Sequence, residues 1–251
     1  MKHHSLPILI ILFLAGCDRN PPETVVTPPV TVPLLQPFAS YSLQPHVAEP
    51  SGIVYNPRNN SMFVVSDSHS DIVEVDLTGR KLRAVATVSS DLEGVALTGS
   101  GDTLYVAEEQ KRKISAYTPA GTSLYSFSAD VATLANNGLE GVSVGPGGHL
   151  FVLNEKAPTM LLEYTAAGTE VRRVTLTATS DLSGIMYDSG RQCLWIVSDE
   201  AKAVLRTGLD GSLQKRWALP FVKAEGIAIV RDTMYIVNDA DGKMYLFAAP
   251  Q

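Results

Sequence analysis

Glu93-Gly94-Val95-Ala96-Leu97 is one of five short phrases in which a Ser or Glu precedes a Gly and an alternating apolar run. The others are Ser51-Gly52-Ile53-Val54-Tyr55, Glu140-Gly141-Val142-Ser143-Val144, Ser183-Gly184-Ile185-Met186-Tyr187 and Glu225-Gly226-Ile227-Ala228-Ile229. The glycines are separated by 42, 47, 43 and 42 residues. A period of this length built from short strands is the signature of a β-propeller with one four-stranded blade per repeat. Each phrase is followed by a second apolar run that ends in acid or amide: Val65-Ser66-Asp67, Ala107-Glu108-Glu109, Leu153-Asn154-Glu155, Val197-Ser198-Asp199 and Val237-Asn238-Asp239. Third strands follow, as in Ile72 to Leu77, and Thr78-Gly79, Ala120-Gly121, Ala167-Gly168 and Asp210-Gly211 supply turns into a fourth.

The fifth repeat runs out of chain, with four residues after Phe247. Phe38 to Leu43 alternates as a strand ahead of the first repeat and is expected to supply the missing outer strand. That pairing closes the ring and removes two open sheet edges. The fold expected is therefore all-β, a five-bladed propeller of antiparallel blades over residues 38–251.

Composition narrows the function. The chain has 251 residues, 45% hydrophobic and 18% charged, with a formal net charge of -6. That is ample for a core, and the acidic balance offers no basic stripe to neutralise phosphates, which argues against nucleic acid as a partner. The N-terminus has its own logic. A Lys and two His lead into an aliphatic run from Leu6 to Leu14, and Leu14-Ala15-Gly16-Cys17 follows. This order resembles the signal of bacterial lipoproteins, cut before a Cys that is acylated. Residues 1–16 are read as the signal peptide, and Cys17 as the lipidated first residue held in the membrane by more than one acyl chain. Residues 17–37, with six prolines between Pro21 and Pro37, read as a tether with a reach on the order of 50 Å if extended. The expected location is the bacterial cell envelope, facing the periplasm, and Asp18 beside the Cys resembles an inner-membrane retention signal. Cys193 then stands alone in an apolar run and reads as a buried inert thiol.

Asp91-Leu92-Glu93-Gly94, Asn137-Gly138-Leu139-Glu140-Gly141, Asn154-Glu155-Lys156-Ala157-Pro158, Asp181-Leu182-Ser183-Gly184, Val197-Ser198-Asp199-Glu200 and Ala224-Glu225-Gly226-Ile227-Ala228 resemble, as an ordered set, the SdiA-regulated (YjiK-like) family over roughly residues 45–248. The resemblance implies a five-bladed propeller distantly similar to NHL-repeat propellers, and an associated calcium ion. It implies little biochemistry.

First strands line the channel of a propeller, so Ser51, Glu93, Glu140, Ser183 and Glu225 are expected to form a ring at one end. Three converging carboxylates raise one another's pKa unless a cation intervenes, and no Arg or Lys occupies a ring position. Calcium takes six to eight oxygens, which such a ring offers, whereas zinc would ask for His or Cys. Gluconolactonase- and paraoxonase-type propellers also use a Glu before Gly as a calcium ligand, which supports Glu93, Glu140 and Glu225 by analogy. Asn154 and Asp239 are counted with them as metal ligands. Asp67, Glu109, Glu155 and Asp199 belong to the second acidic set, expected at the channel mouth, where an acid also serves by bonding turn amides. The plainer alternative has all of these carboxylates capping strand ends in solvent. His69, in Asp67-Ser68-His69-Ser70-Asp71, is better explained by turn composition than by a triad.

The sequence thus points to a calcium-binding, membrane-anchored propeller acting as a binding or scaffold module, its partner an envelope protein or small ligand. Two alternatives stay open: a calcium-dependent hydrolase of lactones or phosphoesters, and a propeller whose ion only stiffens it.

Overall fold

The computed structural model describes residues 31–131 and 137–251. Five four-stranded antiparallel sheets follow one another around a ring, each wound outward from an innermost strand. Blade 1 holds β2 (Pro50–Asn56), β3 (Ser61–Ser66), β4 (Asp71–Asp76) and β5 (Lys81–Ala86). Blade 2 holds β6 (Leu92–Leu97), β7 (Leu104–Glu108), β8 (Lys113–Tyr117) and β9 (Ser123–Ser128). Blade 3 holds β10 (Leu139–Val144), β11 (Leu150–Asn154), β12 (Met160–Tyr164) and β13 (Glu170–Thr175), and blade 4 holds β14 (Ile185–Asp188), β15 (Cys193–Ser198), β16 (Ala203–Thr207) and β17 (Leu213–Ala218). Blade 5 holds β18 (Ala224–Val230), β19 (Thr233–Asn238) and β20 (Lys243–Ala248), and its outer strand is β1 (Ala39–Ser42), pairing antiparallel with β20 as the repeat count requires.

Burial follows position in the blade. The second strands are sandwiched between neighbouring sheets and are apolar without alternation: every residue of β3, β7, β11 and β15 is buried. Outer strands such as β5 and β9 are largely exposed. The core is divided into five clusters, one in each gap between blades. Phe63, Val65 and Ile72 of blade 1 meet Leu92, Val95 and Leu104 of blade 2; Trp195 and Trp217 of blade 4, their ring centroids 5.4 Å apart, share a cluster with Met234 and Phe247 of blade 5. Cys193 is buried in that last gap, as an inert thiol should be.

The folded unit begins before the expected strand. Pro33 accepts from the Ala218 amide at 2.8 Å, Leu35 donates to the Ala218 carbonyl at 2.9 Å, and the contiguous unit starts at Val32. Composition alone had placed these residues in the tether; in the fold the unpaired edge of β17 takes them up, and Leu35 packs on the blade 4–blade 5 core. The expected signal peptide, Cys17 and residues 17–30 lie outside the described residues.

At the axis the innermost strands approach until backbone meets backbone. A Cβ added at Gly52 would lie 2.7 Å from the Glu93 carbonyl, and one at Gly226 would lie 2.8 Å from the Ile53 nitrogen. Cβ atoms at Gly94, Gly141 and Gly184 would run into the carbonyls of Glu140, Ser183 and Glu225. Each repeat glycine therefore faces the next blade, all the way round. Gly226→Ala should cost about 2–4 kcal/mol, since rigid backbone must retreat. Gly99→Ala, with nothing within 4 Å of the added carbon, should be near neutral; thermal melts of both variants check the contrast.

Candidate metal-binding basin

A β-bulge sits at the residue before the repeat glycine. Register shifts between Pro50 and Gly52, Leu92 and Gly94, Leu139 and Val142, and Ala224 and Gly226. A bulge leaves one residue outside the ladder and re-aims its side chain, here Ser51, Glu93, Glu140 and Glu225. Ser183 reaches the same level just ahead of β14, its amide bonded to the Val197 carbonyl at 3.0 Å. The expected ring is present: all five residues line one basin of about 270 Å³ at the axis, joined by Asp67, Glu155, Asp199 and Asp239 from the ends of the second strands. Below the basin the glycine waist leaves about 10 Å³, roughly room for one water. The other end of the axis is a separate apolar vestibule of about 240 Å³, walled by the continuation of the same strands through residues such as Leu97, Val144 and Ile229.

The second acidic set is held by the blade that follows it. Glu109 donates its amide to the Asp91 carbonyl, and its Oε1 accepts from the Gly138 amide of blade 3 at 3.2 Å. The Asp199 carboxylate likewise accepts from the Lys223 amide of blade 5. Asp199 also lines the basin, whereas Glu109, expected at the channel mouth, is not among the lining residues. Asn154 differs. It is fully buried, its Nδ2 donates to the Lys156 and Pro158 carbonyls at 3.3 and 2.8 Å, and it is not among the residues lining the basin.

Two triads bring carboxylate oxygens within 4.8 Å of one another: Asp91, Glu93 and Glu109 in blade 2, and Glu109, Glu140 and Glu155 across blades 2 and 3. Oxygens bound to one calcium at 2.3–2.6 Å lie no more than about 5 Å apart, so either set fits a single ion of that size. The lining contains neither His nor Cys among the described residues, so the donor chemistry is that of a hard cation. Glu225 and Asp239, expected beside Glu93 and Glu140, join neither triad.

Asp91 was not singled out in the sequence, and neither were Glu49, Asp181, Glu200, Lys156 and Lys223, all of which line the basin or complete a triad. Four of them shared a findable signal. Glu49, Asp91, Asp181 and Lys223 each stand two residues before a ring position in the aligned repeats. Although no ring position is basic, two loop lysines reach the basin. Lys156 Nζ lies 2.7 Å from Glu155, and Lys223 Nζ lies 3.7, 3.9 and 3.8 Å from Asp199, Glu225 and Asp239.

The electrostatics follow from this crowding. Burial, reinforced by Asp67 and Glu109, holds the Glu93 carboxyl well above the ordinary range; burial, reinforced by Glu93 and Glu225, does the same to Glu140. Burial pushes Glu225 up to about 7 against the opposing pull of Lys223 and a hydrogen bond from Ser183. Glu109, Glu155, Asp67 and Asp239 are also raised, each chiefly by burial.

These features define a five-bladed propeller with a carboxylate-lined basin at one end of a pinched axis. A family model for SdiA-regulated proteins matches residues 40–251, and the chain belongs to that family. Among solved structures it resembles virginiamycin B lyase from Staphylococcus aureus, with 17% identity, 83% of this chain and 69% of that chain covered, and a TM-score of 0.54. A gluconolactonase from Xanthomonas campestris matches at 11% identity over 88% of this chain and 95% of its own, with a TM-score of 0.56. A chain of a nidogen/laminin complex matches at 16% identity over 76% and 73%, with a TM-score of 0.58. At these identities the likeness is one of fold.

The raised carboxyls fix a pH dependence. Glu225 binds its proton more tightly folded, near 7, than in the unfolded chain near 4.5. Its contribution is therefore fully present below about 4.5 and is lost as pH rises through about 7. Glu93 and Glu140 act in the same direction. In chelator, the melting temperature should fall between pH 5 and pH 8, and Glu225→Gln should flatten that slope. A melting temperature that rises across this range would contradict the assignment.

Proposed function

We propose that this chain is a calcium-binding, membrane-anchored extracytoplasmic lipoprotein whose propeller acts as a binding module in the cell envelope. The observation that carries the metal is a pair of carboxylate triads that share Glu109, one with Asp91 and Glu93 and one with Glu140 and Glu155, each with its oxygens within 4.8 Å of one another. Burying carboxylates is costly unless they are protonated or paired, and a divalent cation pairs several at once. Either triad would hold one ion, with Glu109 a ligand in both. Calcium would neutralise the mouth of the channel and leave coordination positions for water or for an oxygen of an incoming ligand. The anchor rests on the Leu14-Ala15-Gly16-Cys17 sequence and places the partner, an envelope protein or a small ligand, outside the cytoplasm.

One observation favours a second reading, a calcium-dependent hydrolase of lactones or phosphoesters. A carboxyl poised near 7, as Glu225 is, suits a general base at neutral pH. Turnover of a lactone and phosphoester panel that needs calcium and is lost in Glu225→Gln would establish it.

Calcium at a hundredfold excess over its Kd should stabilise the folded state by about 2.7 kcal/mol, a rise of roughly 5–10 °C for a domain of this size. Glu109→Gln, which removes the residue common to both triads, should abolish most of that rise while leaving the melt in chelator unchanged or higher. No rise in the native protein would sink the calcium reading. For the anchor, Cys17→Ser should eliminate acyl labelling and release the protein into the soluble fraction.

A further inference from the structure

The apolar vestibule, about 240 Å³ in volume, opens at the end of the axis away from the acidic basin, and no residue lines both. No Asp, Glu, Lys, Arg or His lines it among the described residues. The glycine waist closes its floor, so an extended chain has no way through. The space therefore suits a small molecule that is uncharged and mostly hydrocarbon, because a charge placed there would lose its water and find no partner.

The walls also carry backbone donors, because an innermost strand has one free edge. Residues in the non-hydrogen-bonded pairs of an antiparallel ladder turn their N–H and C=O away from the partner strand. Leu97 opposite Leu104 and Val144 opposite Leu150 form such pairs, since the next pair along each ladder is bonded: Thr98 donates to the Thr103 carbonyl at 3.0 Å, and Gly145 to the His149 carbonyl at 2.8 Å. Blades 4 and 5 show where the equivalent amides go. The Tyr187 amide donates to Ser143 Oγ at 2.8 Å, and the Ile229 amide to Met186 Sδ at 3.0 Å. Each acceptor stands two residues past the repeat glycine of the preceding blade. At that position ahead of Leu97 and Val144 stand Val54 and Ala96, whose side chains carry no acceptor. All four of these residues line the vestibule. An unmet buried N–H is rarer than an under-satisfied carbonyl, so the two uncapped amides set the polar requirement of an occupant.

We propose that the vestibule is a binding site for a small uncharged molecule with a hydrocarbon body and a carbonyl oxygen. The oxygen accepts from the Leu97 and Val144 amides, and the body fills the space walled by Tyr55, Met186 and Ile229. Ser143 and Met186 cap the amides on the other side of the ring, which gives the ligand one polar side to face and fixes its orientation. The site is separate from the basin and does not depend on calcium.

Benzophenone is a suitable probe: it is an uncharged diaryl ketone that inserts into neighbouring aliphatic C–H bonds when irradiated. Diphenylmethane has the same two rings and no oxygen. The full-length protein is irradiated in chelator over a range of benzophenone concentrations, and the labelled residues are located by mass spectrometry. Labelling should saturate and fall on vestibule residues such as Val54, Val144 and Ile229. Diphenylmethane should compete with an inhibition constant roughly threefold to tenfold above the half-saturation of benzophenone, the worth of a hydrogen bond. Ala96→Ser places a hydroxyl ahead of Val144 as Ser143 does ahead of Tyr187. It should raise the half-saturation of benzophenone by a similar factor and leave competition by diphenylmethane unchanged, which reports an intact site. Labelling that does not saturate, or that falls outside the vestibule, overturns the proposal. So does equal affinity for the two compounds, or a half-saturation that Ala96→Ser does not move.

Discussion

The structure depends on the close approach of five innermost strands at the axis. Gly52, Gly94, Gly141, Gly184 and Gly226 each face the backbone of the neighbouring blade across a gap that a methyl group would overfill. A five-bladed ring turns more sharply per blade than a larger one, so its inner edges crowd most. Everything radial follows from that contact. The second strands are pressed between adjacent sheets and must be apolar on both faces, the five core clusters fall in the gaps, and exposure returns at the outer strands. The same crowding nearly seals the axis and divides it into an acidic and an apolar end.

The acidic end is a by-product of bulges as much as of composition. At net charge -6 the protein is only mildly acidic, yet fold symmetry gathers carboxylates from every blade into one basin. Bulges turn ring residues inward, and the loops after the second strands hang their acids over them. Proximity and partial burial then convert ordinary carboxyls into groups held well above their usual range. Charge concentration of this kind has to be met by protons, by a bound cation or by lysine, and the chain visibly uses the last at Lys223.

The repeat glycines made the blade number and the ring positions legible in the sequence, because spacing and period-2 alternation are properties of the chain itself. The closing role of the segment around Ala39–Ser42 could be read for the same reason: a count of strands came out one short. Side-chain reach and loop direction are not periodic, and there the reading thinned. Asn154 sits in the same chain context as its neighbour Glu155, but it is not among the basin-lining residues, and its Nδ2 donates to the carbonyls of Lys156 and Pro158. Asp91 and Lys223 stand in loops, where the repeat spacing marks the position but strand alternation does not give the side chain's direction. Leu34 and Leu35 were hidden in proline-rich sequence, although the unpaired edge of β17 had use for them.

Closure by β1 also means that the ring has no privileged beginning. Ala39 lies opposite Leu246, so the two ends of the propeller meet in one sheet, a single strand apart. The outer strand of each blade is followed in the chain by the innermost strand of the next. The order of blades along the chain is thus a matter of cyclic sequence rather than of architecture. A chain cut in any exposed connection between blades and sealed across blade 5 would describe the same object, the general condition under which circular permutation is tolerated.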